Sequence, residues 1–292
     1  MHKLQKLKRK DLDVEKYSKA LNEALNYRIY AEAWYLDILT NGKWECWIFG
    51  DYEVIMPVPL QFKFGIKFVI MPIYCQQLGV FYKEEISDEL YREFESKIHK
   101  YRVRSYCFNE ENTERYNPKG EKKVNYILDL DRTYEEIVQG YKKKRRKDLN
   151  KGNHLIVVEN NLTDNHFKNQ EKFYKNLNSF IKNRKYSSLL LELKAKGNLI
   201  IYDLYNDNEL VASQMFIYAK NRIICSSFFR NKELDFYNSS AYSKNYLIRK
   251  EANKKILLDF DGSMISGIAE FYEGFGAEKK YYTMYKKLNF SL

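Results

Sequence analysis

The chain contains few glycines, prolines and cysteines and no long hydrophobic run. Among 292 residues there are 12 Gly and 4 Pro, which excludes collagen-like and low-complexity chains. The 4 Cys lie far apart with no CxxC pair, and the 4 His show no metal-ligand spacing, which argues against a disulfide scaffold and a zinc site. The longest apolar run, residues 68–75, is far below the roughly 18 residues that span a bilayer. The N-terminus also lacks the apolar stretch of a signal peptide, and we expect a soluble, cytoplasmic protein without a metal.

Positive charge and aromatic residues are abundant instead. Lys and Arg number 50 against 39 Asp and Glu, a formal net charge of +11, and 16% of the residues are aromatic. The excess charge points to an anionic partner: nucleic acid, a nucleotide-containing cofactor, or an anionic glycan or lipid headgroup. A Lys-, Asn- and Tyr-rich composition typical of AT-rich genomes is the alternative explanation. Charge alone does not choose among these.

One order of helices and strands occurs twice along the chain. Periodicity and turn residues predict two helices, a hairpin, a strand, a helix and a strand in the first half. The second half repeats this order with a meander and adds a helix and a last strand. These patterns predict an α/β (α+β) protein with two tandem domains, 1–132 and 133–292. Each domain should hold a mixed, mostly antiparallel sheet flanked by helices, with parallel neighbours joined by helical crossovers after the meander.

A basic helix is predicted to open the second domain, over residues 134–151. Thr133 and Glu136 have the spacing of a capping box. The helix then runs into six consecutive cations, residues 142–147, which wrap around its circumference and cannot all be buried. They could contact the phosphates of RNA or of a nucleotide-linked substrate, or they could be an exposed helix end that interacts favourably with the helix dipole.

Three segments resemble FemAB-like proteins and the wider GNAT superfamily. Residues 141–152, YKKKRRKDLNKG, resemble the basic helix and turn that open the second FemAB domain. Residues 258–264, LDFDGSM, with residues 268–277, IAEFYEGFGA, resemble the late strand, turn and helix. Residues 71–81, MPIYCQQLGVF, resemble the strand and loop after the first hairpin. The resemblance implies tandem GNAT-like domains and transfer of an acyl or aminoacyl group to an amine.

The resemblance leaves the donor open between acyl-CoA, such as acetyl-CoA, and aminoacyl-tRNA. GNAT enzymes hold the CoA pyrophosphate on a loop that Gln76, Gln77 and Gly79 match in its first part. Phe81, however, stands where that loop has a small residue. FemAB-type enzymes instead take an amino acid from aminoacyl-tRNA and attach it to a peptidoglycan precursor, so tRNA and such a precursor are the partners implied.

The candidate reaction centre follows the last parallel strand predicted in the second domain. Acyl transfer to an amine needs a base for the ammonium, donors for the oxyanion and precise positioning. Asp259 and Asp261 alternate with apolar residues, Ser263 follows a glycine turn, and Tyr272 lies on the next helix. We predict these four as catalytic, although Asp261 and Ser263 could simply cap that helix.

The basic run supplies candidate phosphate ligands, Lys144, Arg145, Arg146 and Lys147. Arg offers a bidentate fork and Lys a point charge. The rival to an acyltransferase is a non-catalytic GNAT-like module that binds RNA or an anionic glycan precursor through this run.

Overall fold

The fold was obtained as a computed structural model that describes residues 3–151, 154–173, 184–231, 233–234, 238–262 and 264–287. Ser263, one of the predicted catalytic residues, lies outside the described residues. The chain divides into two compact units, Met1–Val124 with Tyr281–Leu292, and Asn125–Lys280. The domains 1–132 and 133–292 remain a prediction about which segments fold independently.

Both units contain strands and helices. Within the described residues, the strands are β1 Gln5–Lys8, β2 Trp44–Phe49, β3 Val54–Lys63, β4 Ile66–Val69, β5 Phe81–Tyr82, β6 Tyr106–Phe108, β7 Glu121–Asp129, β8 Ile156–Asn160, β9 Leu199–Asn206, β10 Glu209–Tyr218, β11 Arg222–Arg230, β12 Leu257–Asp259 and β13 Glu278–Tyr285. The helices are α1 Val14–Glu23, α2 Ala33–Thr40, α3 Asp88–His99, α4 Glu110–Tyr116, α5 Tyr134–Gln139, α6 Lys143–Lys151, α7 Asp164–Phe173, α8 Arg184–Ala195, α9 Ser239–Glu251 and α10 Ser266–Glu273. No described helix has the length and apolar character needed to cross a membrane.

The first unit contains an antiparallel sheet in the order β1-β2-β3-β4, with β5 paired to β3. Strand β6 pairs with residues 283–285 of β13. A serine before an apolar helical stripe predicts that a helix begins after Ser87. Helix α3 does begin there, and the Ser87 hydroxyl accepts the Leu90 N–H at 3.2 Å. The polar composition of residues 109–123 predicts a loop. The structure instead has α4 there, and the Asn109 side chain caps it by accepting the Asn112 N–H at 2.9 Å.

The second unit contains the strand order β7-β12-β11-β10-β9-β8. Strands β11 and β12 are parallel and joined through α9, whereas the other paired strands of this unit are antiparallel. The mixed, mostly antiparallel sheet with a helical crossover is therefore confirmed.

The basic helix is two helices rather than the continuous helix predicted over 134–151. Helix α5 ends at Gln139 and α6 begins at Lys143. Between them the backbone meets another part of the chain: the Lys142 N–H donates to the Gly274 carbonyl at 3.0 Å. A Cβ added to Gly276 would stand 3.0 Å from the Gly140 carbonyl oxygen, so these two glycines permit a close approach that interrupts the helix.

Candidate active site

A cleft of about 370 Å³ opens beside β10 and β11 in the second unit. At its base, the register between these strands shifts between Gln214 and Phe216, a β-bulge of the kind that re-aims side chains near functional sites. The Gln214 amide group is fixed by donating to the Met215 and Ser227 carbonyls, both at 3.0 Å. The side chains around the cleft come from both strands and from α9 and α10: Gln214, Cys225, Ser226, Phe228, Ser240, Lys244, Gly267, Ile268, Phe271 and Tyr272.

Lys244 is a buried cation in this cleft. Its Nζ donates to Gln214 Oε1 at 2.7 Å and to Ser240 Oγ at 2.9 Å, and it lies 5.5 Å from the ring centroid of Phe228. In the described part of the chain, no carboxylate pairs with it. Burial therefore lowers the pKa of Lys244 to about 8, since removal from water disfavours the charged amine. An ammonium has three N–H donors, and these two acceptors use two of them.

Tyr272, predicted as catalytic, lines the same cleft. Its ring packs 4.9 Å from Phe260 and 5.8 Å from Tyr126, measured between centroids. Burial raises the pKa of Tyr272 well above its ordinary value, so the hydroxyl keeps its proton at neutral pH. Among the described residues, none hydrogen-bonds this hydroxyl, which leaves it available to a ligand.

Asp259 is held in a buried polar cluster at the end of β12. It is 1% exposed, its Oδ2 accepts from Arg222 Nη1 at 2.8 Å, and its Oδ1 accepts from Asn125 Nδ2 at 2.9 Å. These are the contacts of a structural ion pair. Asp259 as a catalytic base stays a prediction.

Asp261 does not continue the strand alternation that the sequence suggested. Strand β12 ends at Asp259, and Asp261 has a left-handed backbone with φ of +61°. Its N–H turns back to Asp259 Oδ1 at 2.9 Å, while its side chain is exposed. The two carboxylates are thus in different environments, and the catalytic role of Asp261 also stays a prediction.

The segment predicted to bind CoA does not present free N–H groups. The N–H groups of Leu78, Gly79 and Val80 donate to Cys107 O, Tyr106 Oη and Asn112 Oδ1 respectively. Strand β5, and not a helix N-terminus, follows. A phosphate loop needs outward-facing N–H groups at the start of a helix, so this segment does not fit the CoA pyrophosphate.

The predicted glutamines are likewise engaged. Gln77 is fully buried: its Nε2 donates to Gln76 Oε1 at 2.7 Å and its Oε1 accepts the Glu110 N–H at 3.1 Å. Gly79 has φ of +120°, and a Cβ there would meet Asn112 Oδ1 at 2.2 Å. Gln76, Gln77 and Gly79 therefore form part of the packing of the first unit, and their proposed role with CoA has no support in this geometry.

Helix α6 buries one of its predicted phosphate ligands. Arg145 is 4% exposed, and its guanidinium stacks 4.1 Å from the Phe271 ring and donates to the Phe271 carbonyl at 2.8 Å. Arg146 is exposed, but its guanidinium donates to the carbonyls of Tyr141 and Gln139. Arg145 thus packs against α10, and the phosphate role predicted for it stays a prediction.

The other cations of α6 point to solvent. Lys143, Lys144 and Lys147 are exposed, and the described residues supply no ion-pair partner for them. Lys142, by contrast, pairs with Glu273 at 2.9 Å. Lys144 and Lys147 thus remain the predicted residues best placed to meet a phosphate.

A second polar cavity of about 490 Å³ surrounds His166 and Asp203. His166 Nδ1 accepts the Thr163 N–H at 3.0 Å, so the ring carries its proton on Nε2, which lies 3.2 Å from Asp203. Burial raises the pKa of Asp203, but hydrogen bonds from His166, Ser213 and Asn160 outweigh it and hold the pKa below its ordinary value. Because both ring nitrogens are engaged, this pair fixes the start of α7 and is not a free base.

Comparisons with known proteins identify the fold. No protein-family model matches the chain, and no curated protein sequence matches it. Solved structures do match over nearly its whole length. FemX aligns with a TM-score of 0.69 at 7% identity, covering 97% of each chain. The chain has a FemAB-like fold.

Two further structures agree with this. L-PGS from Bacillus licheniformis aligns with a TM-score of 0.56 at 16% identity, covering 96% of this chain and 93% of that one. A tandem GNAT protein from the clavulanic acid biosynthesis pathway aligns with a TM-score of 0.51 at 11% identity, covering 98% of each chain. The FemAB-like, tandem GNAT-like fold predicted from sequence motifs is confirmed.

Within this FemAB-like fold, sequence reasoning missed Lys244. A signal was present, because Ala241, Lys244, Ile248 and Glu251 recur at three- and four-residue spacing and so share one helix face. All four are buried. A lysine on the apolar stripe of a predicted helix is the pattern that could have identified it.

Proposed function

We propose that this protein is an acyltransferase that moves an acyl or aminoacyl group onto an amine, with its chemistry in the cleft around Lys244. The observation that carries the proposal is a buried lysine beside an open cleft. Among the described residues, its ammonium has no carboxylate partner and donates to two acceptors, which leaves its third N–H for a ligand. Perturbed ionisable groups in clefts are typical of functional sites. The FemAB-like fold supports this class of reaction.

The reaction joins the acceptor nitrogen to the donor carbonyl carbon and breaks the bond from that carbon to the leaving oxygen or sulfur. Negative charge develops on the carbonyl oxygen, where the third N–H of the Lys244 ammonium can donate. The Tyr272 hydroxyl can give its proton to the leaving atom and recover one from the amine, so that protons balance. Asp259, Asp261 and Ser263 remain proposed participants, as acceptors of the amine proton or as residues that shape the turn.

Aminoacyl-tRNA is the donor that the surface charge favours. Lys143, Lys144 and Lys147, which have no ion-pair partner among the described residues, suit an RNA backbone, whereas residues 76–81 do not fit the CoA pyrophosphate. Acyl-CoA is the alternative donor. FemAB-type relatives suggest a peptidoglycan-precursor peptide with a free amine as acceptor, and both donors would place the reaction in the cytoplasm.

The direct test is a transfer assay with both donors. We expect label to move from a radiolabelled aminoacyl-tRNA pool to a peptidoglycan-precursor peptide carrying a free amine, and not from acetyl-CoA. Tyr272→Phe should lower kcat about 100-fold, because the leaving atom loses its proton donor. Tyr246→Phe, on the outer side of α9, is the matched control and should keep wild-type kcat. Transfer from acetyl-CoA alone would show that the donor is acyl-CoA and not aminoacyl-tRNA. If neither donor supports transfer to any amine tested, the proposal that the protein is an enzyme is wrong.

A non-catalytic RNA-binding module is the second candidate, favoured by the exposed cations of α6. For either candidate, Lys143→Glu/Lys144→Glu/Lys147→Glu should weaken tRNA binding. A plot of the logarithm of the association constant against the logarithm of salt concentration should become less steep by about three, because three phosphate contacts are lost. Filter binding across a salt series measures both. Lys100→Glu/Lys122→Glu/Lys255→Glu changes exposed lysines elsewhere by the same net charge. Equal weakening in that control would mean that net charge, and not α6, binds the RNA.

A further inference from the structure

The turn between β3 and β4 exposes three apolar side chains at its tip. Phe64 is 92% exposed, Phe62 53% and Ile66 40%. In the strand register Phe62 lies opposite Lys67 and Ile66 lies opposite Lys63, so the apolar residues occupy both faces of the hairpin and its apex. Clusters of exposed apolar side chains on a soluble protein mark interaction sites.

Phe64 is also an unfavourable residue for this turn. Phe64 and Gly65 form the two-residue loop, with φ of +50° and +72°. Two-residue hairpin turns with positive φ at both positions favour Asn-Gly, because a bulky L-residue is strained there. The Phe64 ring is not buried, so hydrophobic burial does not compensate for this strain. Lys63 Nζ lies 5.7 Å from the ring centroid, but so exposed a contact offsets only part of the backbone strain. We therefore look for a role of Phe64 outside the fold.

Positive charge surrounds the base of the same hairpin. The Leu60 N–H donates to the Lys43 carbonyl and Lys8 pairs in register with Glu45, so Lys8 and Lys43 lie at the sheet end from which the hairpin extends. Lys63, on the hairpin itself, is exposed, as are Lys8, Lys10 and Lys43. The described residues supply no carboxylate partner for these four lysines. No acidic residue occurs between Glu53 and Glu84 in the sequence.

We propose that the tip of this hairpin, residues 62–66, inserts into the interface of an anionic phospholipid membrane. Aromatic and aliphatic side chains at a protruding apex can enter the boundary between headgroups and acyl chains, and the surrounding lysines meet anionic headgroups. RNA suits the tip less well, because the aliphatic Ile66 cannot stack on bases as an aromatic ring does. This surface lies in the first unit and does not depend on the proposed acyltransferase reaction.

Vesicle co-sedimentation tests the proposal with the full chain. We expect wild type to bind vesicles of phosphatidylcholine with phosphatidylglycerol, and to bind pure phosphatidylcholine much more weakly. Phe62→Ser/Phe64→Ser should weaken binding at least tenfold, since two large apolar groups are removed from the interface. Leu25→Ser/Leu191→Ser removes two leucines of comparable exposure elsewhere and should bind as wild type does.

Two further variants separate insertion from loss of folding. Phe64→Asn places a residue that tolerates positive φ in the turn, so it should raise the midpoint of thermal unfolding while weakening vesicle binding. Gln61→Cys introduces an exposed thiol beside the tip, whereas all four native cysteines are buried. An environment-sensitive dye attached there should shift to shorter emission wavelength with anionic vesicles.

Several results would overturn the membrane assignment. The first is that Phe64→Asn binds vesicles as wild type does. The second is that the emission wavelength of the dye at position 61 does not change when anionic vesicles are added. The third is that wild type is a dimer in ultracentrifugation and Phe64→Asn is a monomer. Loss of tRNA binding in Phe64→Asn, with vesicle binding kept, would assign the tip to RNA instead.

Discussion

Lys244→Met should make the protein more stable and, at the same time, much less active. The pKa of Lys244 falls from an ordinary 10.5 to about 8 in the fold, so the unfolded chain binds more protons between these pH values. At about 1.4 kcal/mol for each unit, the buried charge costs about 3 kcal/mol at pH 7. Methionine removes that cost but also removes the hydrogen bonds to Gln214 and Ser240, together worth about 1 kcal/mol. The net expectation at pH 7 is a gain of about 2 kcal/mol in the free energy of unfolding.

The pH dependence identifies the cause. Because the folded-state pKa is the lower one, wild-type stability should rise with pH from about 8 to 10.5, and the advantage of Lys244→Met should shrink over the same window. Urea unfolding of both proteins at pH 7 and at pH 10 measures this difference in the free energy of unfolding. Lys250→Met, on the same helix but exposed and paired with Glu159, is the control and should change stability little at either pH.

The same substitution should lower kcat about 10²- to 10³-fold, the range for loss of one oxyanion donor. Since the ammonium form is the donor, wild-type kcat should fall as the pH rises through about 8. A rise through that pH would mean that the neutral amine acts as a base. Full turnover by Lys244→Met would move the reaction centre away from this residue.

The sequence predicts features of this fold where local signals agree with packing. Ser87 caps α3, as expected for a hydroxyl residue directly before an apolar helical stripe. The meander from β9 to β11 turns where the sequence has turn residues. Helix α4 was missed because its cap and its neighbours are buried polar residues, among them Asn109, Asn112 and Thr113. Polar residues in sequence indicate a loop, because the hydrogen bonds that allow them to be buried come from distant parts of the chain.

The candidate site was only partly predictable for a related reason. Tyr272, predicted as catalytic, lines the cleft, and its catalytic role stays a prediction. A run of cations, by contrast, does not indicate which of its members is buried. Arg145 differs from Lys144 in that it packs against the aromatic rings of Phe271 and Phe275, which lie more than a hundred positions away in sequence. The break between α5 and α6 depends in the same way on Gly276, a distant partner of Gly140.

Asp259→Asn should destabilise the protein by about 3 kcal/mol, the usual cost of breaking a buried pair. Both carboxylate oxygens of Asp259 act as acceptors: Oδ2 for Arg222, and Oδ1 for Asn125 and the Asp261 N–H. The amide nitrogen of asparagine must replace one oxygen, and in either orientation a donor then faces a donor. Asp261→Asn is the matched variant. It should change stability by no more than about 0.5 kcal/mol, because the side chain is exposed and asparagine tolerates φ of +61°.

Kinetics on the same two variants separate structure from chemistry. Activity is assayed well below the temperature at which Asp259→Asn unfolds. Removal of a carboxylate that accepts the proton lowers kcat, whereas removal of a purely structural carboxylate lowers stability in urea unfolding. We expect Asp259→Asn to lose stability at nearly wild-type kcat, and Asp261→Asn to keep stability and lose turnover if its carboxylate takes the amine proton. Full turnover by Asp259→Asn/Asp261→Asn would exclude both from proton transfer. The oxyanion donor and the leaving-group acid would then remain with Lys244 and Tyr272, and the acceptor amine would have to reach the cleft already neutral.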